Sequence, residues 1–178
     1  MKLEEWQEEQ QAQHRAATEV TEERLQPGAL VVTRIGEPAI TTKYGKKDLK
    51  KLIIIGQDKE QGIAYGVVVV NTKKRYSIDT NAEYTKDFKK AQLKLREKQY
   101  TDFLEYDSYI NCAKIVPIPV EDLKAGEYRG NLDKNDHKRI FEKLRRATTI
   151  SNTAKQRYGL IGENDETTSS RKFNKHEC

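Results

Sequence analysis

Apolar and polar positions divide the chain into readable segments. Residues 3–25 contain no glycine or proline and are rich in Glu, Gln and Ala, which predicts a helix. Its face of Leu3, Trp6, Gln10, Gln13, Ala17 and Val20 is weakly apolar, anchored by Trp6, so it docks lightly or not at all. Gln26-Pro27-Gly28 stops it. Three β-rich runs follow, at 28–35 (GALVVTRI), 52–55 (LIII) and 63–70 (IAYGVVVV). The third is apolar without interruption, which predicts a strand buried on both faces. Residues 85–100 read as a helix, with Phe88, Gln92, Leu95 and Gln99 on one face. Residues 109–118 (YINCAKIVPI) read as one strand leaving through Pro-x-Pro. Asp133 is a candidate N-cap for a helix reaching about Ala147, with Ile140, Phe141 and Leu144 on its core face. Ser151 is placed to cap a last short helix to Tyr158, with Gly159 as its left-handed stop.

Short strands separated by turns, with almost no helical crossover among the first three, argue for antiparallel pairing. The expected class is α+β: a small SH3-like antiparallel β-barrel with peripheral helices. The expected organisation is an acidic helical extension at 1–26, a barrel domain at 27–161 and a disordered tail at 162–178, where no apolar periodicity remains.

Composition narrows the class. Of 178 residues, 35% are hydrophobic and 34% charged, too polar for the whole length to bury a core. No apolar run approaches the roughly 20 residues that span a bilayer, so no membrane association is expected. The acidic start MKLEEWQEEQ has no apolar core of a secretory signal. Cys112 and Cys178 are too few and too far apart for a disulfide framework or a cysteine-rich zinc site. A soluble, cytoplasmic protein is expected.

Charge is unevenly spread. Residues 1–26 carry seven acidic and three basic side chains, yet the whole chain has a net charge of +5. A basic body with an acidic leader points to a polyanionic partner for the body. The leader could fold over the basic surface, act as a dimer-stabilising arm, or dock loosely.

Familiar catalytic motifs are missing. There is no GxxxxGK[ST] and no GxGxxG. His14, His137 and His176 are not near one another or a cysteine pair at metal-ligand spacing, and no metal or cofactor is expected. Asp107-Ser108 is a local acid–hydroxyl pair, a motif that more often caps a turn than does chemistry. Lysines and hydroxyls at strand ends remain. Lys43, Lys46, Lys47, Lys50 and Lys51 crowd the loop from Gly36 to Lys51, and Thr72, Lys73, Lys74 and Arg75 follow the buried strand. If 52–55 and 63–70 pair as antiparallel neighbours, Lys50 and Lys51 come beside Thr72 and Lys73. Several ammonium groups and a hydroxyl at one spot suit a phosphate. Tyr44 and Tyr76 flank the cluster and could stack on unpaired bases. Solvated loop ends would carry the same residues.

The segments GALVV (28–32), KKLIIIG (50–56), GIAYGVVVVNT (62–72) and FLEYDSYINCAKIVPIPVEDL (103–123), followed by Gly130-Asn131-Leu132, resemble the PemK/MazF toxin family over about residues 27–146. The resemblance implies an SH3-like barrel and a metal-independent endoribonuclease acting on single-stranded RNA through the substrate's 2′-hydroxyl. It also implies a homodimer and inhibition by an antitoxin, here an acidic protein. It places the family's catalytic Thr on Thr72 and its catalytic Arg on Lys50, with Lys51 where Pro is usual. Lys43, Lys46, Lys47, Lys73, Lys74, Arg75 and Tyr76 would hold flanking RNA, with Asp107 and Ser108 as local support. The family's Gly-Asp start is Gly28-Ala29 here, and its Arg-Pro is Lys50-Lys51. A lysine lacks the bidentate fork of arginine at a phosphate.

Overall fold

The computed structural model describes residues 2–36, 46–71 and 78–163. Lys43, Thr72, Lys73, Lys74, Arg75 and Tyr76 lie outside the described residues, as do Tyr44, His176 and the tail from 164.

The expected helix at the N-terminus forms as α1 (Leu3–Thr18), ending about two turns earlier than the sequence suggested. No residue of α1 is buried. Its end is set by Arg24, whose Nη1 donates to the carbonyls of Ala16, Ala17 and Glu19 at 3.1, 3.0 and 2.8 Å. These terminal carbonyls have no partner within the helix, and a cation there also opposes the helix dipole.

The first three strands are β1 (Ala29–Ile35), β2 (Asp48–Gln57) and β3 (Ala64–Asn71). Both pairings are antiparallel, as expected. β2 is longer than its apolar centre, however, and Lys50 and Lys51 lie inside the strand rather than in a loop before it. Neighbouring strands on both sides supply the ladder that carries the pleat into these polar residues.

The expected helix at 85–100 is corrected. Thr85 caps only a five-residue helix, α2 (Lys86–Lys90), and the chain then runs as β4 (Gln92–Leu95). Gln92, Leu93, Lys94 and Leu95 also alternate with period two, and β5 (Ser108–Asn111) offers them a ladder from Gln92↔Asn111 to Leu95↔Ser108. Tertiary pairing outweighs a modest helix propensity here.

The expected strand at 109–118 is split into β5 and β6 (Val116–Pro119), both antiparallel to β3. β3 advances from Val70 to Val67 while its partner runs from Ile110 to Val116, so the excess chain loops out. Asn111 Oδ1 accepts from Ala113 N at 3.1 Å within that loop.

α3 (Val120–Lys124) and β7 (Glu127–Asn131) were not foreseen. β7 is an edge strand with half-buried polar residues and no apolar alternation to read. The last two helices, α4 (Lys134–Arg146) and α5 (Asn152–Arg157), match expectation with their caps Asp133 and Ser151. Gly159 adopts φ +75° at the stop.

The architecture is α+β, a curled antiparallel sheet resembling half a barrel, with helices at its margins. Strand order is β4-β5-β3-β2-β1-β7, with β6 also on β3. Alternation along the strands makes two cores. One face carries Val31, Leu52, Ile54, Val67 and Ile118, packed with Val20, Leu25 and Leu123 of α3. We call this the inner face. The outer face carries Leu30, Ile53, Ile55, Val68 and Val70, covered by Ile140, Phe141 and Leu144 of α4 and by Tyr158. Gly66 makes room for that tyrosine: a Cβ there would lie 2.6 Å from its ring. Among the described residues no helix is long and apolar enough to cross a membrane.

Candidate functional site

The register at the start of β2 decides where its two lysines go. Lys50 pairs with Thr33 of β1, and Lys51 lies between Val32 of β1 and Val70 of β3. Adjacent strand residues point to opposite faces. Lys51 shares the outer face with Ile53 and Val70, and Lys50 the inner face with Leu52 and Ile54. The two lysines therefore leave the strand on opposite faces of the sheet.

Two rows of residues cross the sheet at this level. The outer row is Leu93, Ile110, Val70, Lys51 and Val32, apolar apart from the lysine. The inner row starts with Lys94, Tyr109 and Asn71 and ends with Lys50 paired to Thr33. Continuing the Lys51↔Val70 register by one residue sets Lys50 in line with Asn71. This polar row lies just beyond the inner core, at the last described residue of β3.

The row is closed at one end and open at the other. Thr33 is buried, and its hydroxyl donates to the Asp122 carbonyl at 2.6 Å. Lys50 is 30% exposed, with its Nζ 3.8 Å from Asp48. Lys47 reaches Asp122 at 3.5 Å, and Lys46 is exposed. At the far end Lys94 pairs with Asp107 at 3.0 Å. Exposed pairs of this kind contribute little and exchange readily for an incoming anion.

Asp107 also accepts from Glu97 N at 2.9 Å. That hydrogen bond, and Lys94 behind it, holds its carboxyl below the usual carboxylate range. Ser108 is buried and donates to the Tyr106 carbonyl at 2.9 Å. Both side chains thus brace the turn into β5.

Other chemistry-bearing groups are engaged elsewhere. Cys112 is fully buried, and burial pushes its thiol up to about 12, so no thiolate forms at neutral pH. His137 stacks on Phe141 with centroids 4.1 Å apart, and His14 lies on exposed α1. Among the described residues no group of three or more His, Cys, Asp or Glu is placed to hold a metal ion.

A second cationic feature was missed from the sequence. A groove of about 540 Å³ runs between α2–β4 and α4, bordered by Lys90, Lys138, Lys143 and Arg146. None of the four forms a salt bridge among the described residues. The cationic face of α4 was legible in its spacing. The opposite wall was not, because the pattern over 85–100 predicts a helix where β4 forms.

Neither a family model nor a curated protein matches the chain.

Proposed function

We propose that the protein binds single-stranded RNA across the Lys50 end of the sheet and cleaves it through the RNA's own 2′-hydroxyl. The observation that carries this is the β2–β3 register, which sets Lys50 beside Asn71 on one face. The family resemblance puts its catalytic cation and hydroxyl at the same two strand ends, as Lys50 and Thr72. Lys50 would neutralise the phosphorane; Thr72, which lies outside the described residues, has its role as hydroxyl donor from the resemblance alone. Asp48, now 3.8 Å from Lys50, would yield to the phosphate. Lys46, Lys47 and Lys94 would hold flanking phosphates, and Tyr109 would offer a ring to a base. The activity would be that of a toxin in a toxin–antitoxin-like system, with an acidic protein as its inhibitor.

One observation favours a second outcome. Only one of the two adjacent lysines faces the inner row, and a lone ammonium lacks the fork of an arginine. The same surface would then grip RNA without cutting it.

The test is incubation of the full chain with a long single-stranded RNA in excess EDTA, beside Lys50→Ala and Thr72→Ala. Discrete fragments ending in 2′,3′-cyclic phosphate, from wild type but neither variant, support cleavage. Salt-sensitive retention of intact RNA supports binding alone. Neither cleavage nor retention overturns both.

A further inference from the structure

α1 is held as an arm. It joins the body at the β7 edge, where Glu19 bridges to Glu127, and Arg24 both caps its last carbonyls and lies 4.9 Å over the Tyr128 ring. Beyond that joint none of its residues is buried: Leu3 is 69% and Trp6 49% exposed. A free helix of 16 residues is marginal in water, so an exposed aromatic–aliphatic face on it asks for cover. Glu5 and Glu9 flank that face on the Trp6 side by helical spacing, and Glu4 and Glu8 lie on the opposite side of the helix.

The groove between α4 and β4 has the complementary chemistry. Its floor is apolar, formed by Ala91, Leu93 and Ala147, and its rim is cationic, with Lys138, Lys143 and Arg146 in no salt bridge among the described residues. Its volume admits an indole together with a leucine side chain. A nucleic-acid backbone would gain nothing from the apolar floor. An acidic helix with an aromatic anchor uses both the floor and the rim.

The arm and the groove of one chain stand at opposite ends of the sheet, β7 against β4. No hydrogen bond or salt bridge joins α1 to the groove lining among the described residues. We propose that the groove receives α1 of a second copy, Trp6 and Leu3 on the floor and Glu5 and Glu9 against Lys138 and Lys143. Reciprocal exchange of two such arms closes as a two-fold dimer. The proposal does not depend on RNA cleavage.

Trp6 is the chain's one tryptophan, so its fluorescence reports the arm alone. The experiment follows light-scattering mass and Trp6 emission of the full chain against concentration, for wild type, a groove variant (Lys138→Glu with Lys143→Glu) and an arm variant (Glu5→Lys with Glu9→Lys). Wild type should double its 20.6 kDa mass as Trp6 emission moves to the blue, and high salt should weaken both effects. Each variant alone should lose the dimer. Mixing the two should restore it, because both arm–groove contacts in the mixed pair are again complementary, which a misfolded variant could not do. A monomer at every concentration overturns the proposal, as does a dimer whose Trp6 emission never shifts. A groove variant that loses RNA retention while keeping wild-type mass and emission also overturns it, and assigns the groove to nucleic acid.

Discussion

Lys51 stands directly across from Val70 in the β2–β3 ladder, on the outer face, while its neighbour Lys50 faces the inner row with Asn71. The two lysines therefore differ in consequence. Lys50→Ala should lower RNA affinity or cleavage at least about tenfold, roughly 1.4 kcal/mol. Lys51→Ala should change either by less than about threefold, since its row is otherwise apolar. Filter binding and cleavage assays on the two variants check this, and equal losses would count against the face assignment.

Asp58 is buried and accepts from Arg157 Nε at 2.8 Å, Glu60 N at 2.9 Å and Gln61 N at 3.0 Å. The Arg157 hydrogen bond, foremost, holds its carboxyl below the usual carboxylate range. A depressed folded value means that the carboxylate stabilises the fold above the unfolded pKa of about 3.9. That contribution is lost as pH falls through the folded value. Asp58→Asn should cost about 2 kcal/mol at pH 7, and the gap to wild type should narrow in acid. Urea unfolding at pH 7 and pH 3 measures both; a gap independent of pH would contradict the role given to the charge.

Lys155 is 6% exposed and donates to the carbonyls of Arg145 and Ala147, both at 2.8 Å. It ties α5 to the otherwise unpaired end of α4. Burial lowers its pKa, so the ammonium is held at the cost of desolvation. Lys155→Met, which keeps the stem but leaves two carbonyls unserved, should destabilise the protein by about 1–3 kcal/mol. Thermal unfolding checks this, with the largest loss of hydrogen-exchange protection expected in the last turn of α4.

Arg24 holds α1 without burying it. Arg24→Ala should release the arm and leave the body intact. Far-UV circular dichroism should lose helical signal, and hydrogen exchange at residues 3–18 should quicken, at an unchanged body Tm. A drop in Tm matching a core mutation would mean that the arm is part of the cooperative unit.

Much of the fold was legible because its signals are local. β-branched runs marked β1 and β3, and Asp133, Ser151 and Gly159 bounded α4 and α5. The antiparallel pairing of the first three strands followed from the near absence of a helical crossover between them. β4 was hidden because Gln92–Leu95 satisfies helical and strand periodicities about equally over so few residues. β7 was hidden because an edge strand of Glu, Tyr, Arg, Gly and Asn has no apolar alternation.

The sequence by itself determined which residues carry charge and which three segments become the central strands, since composition and period belong to the chain. It also brought the start of β2 to the end of β3, through antiparallel geometry alone. Only the tertiary structure decided that Lys50 and Lys51 part to opposite faces, because a strand's extent depends on neighbours that supply hydrogen bonds. Only it set the cations of α4 across from β4, because a groove has two walls that lie far apart in the chain and meet through packing.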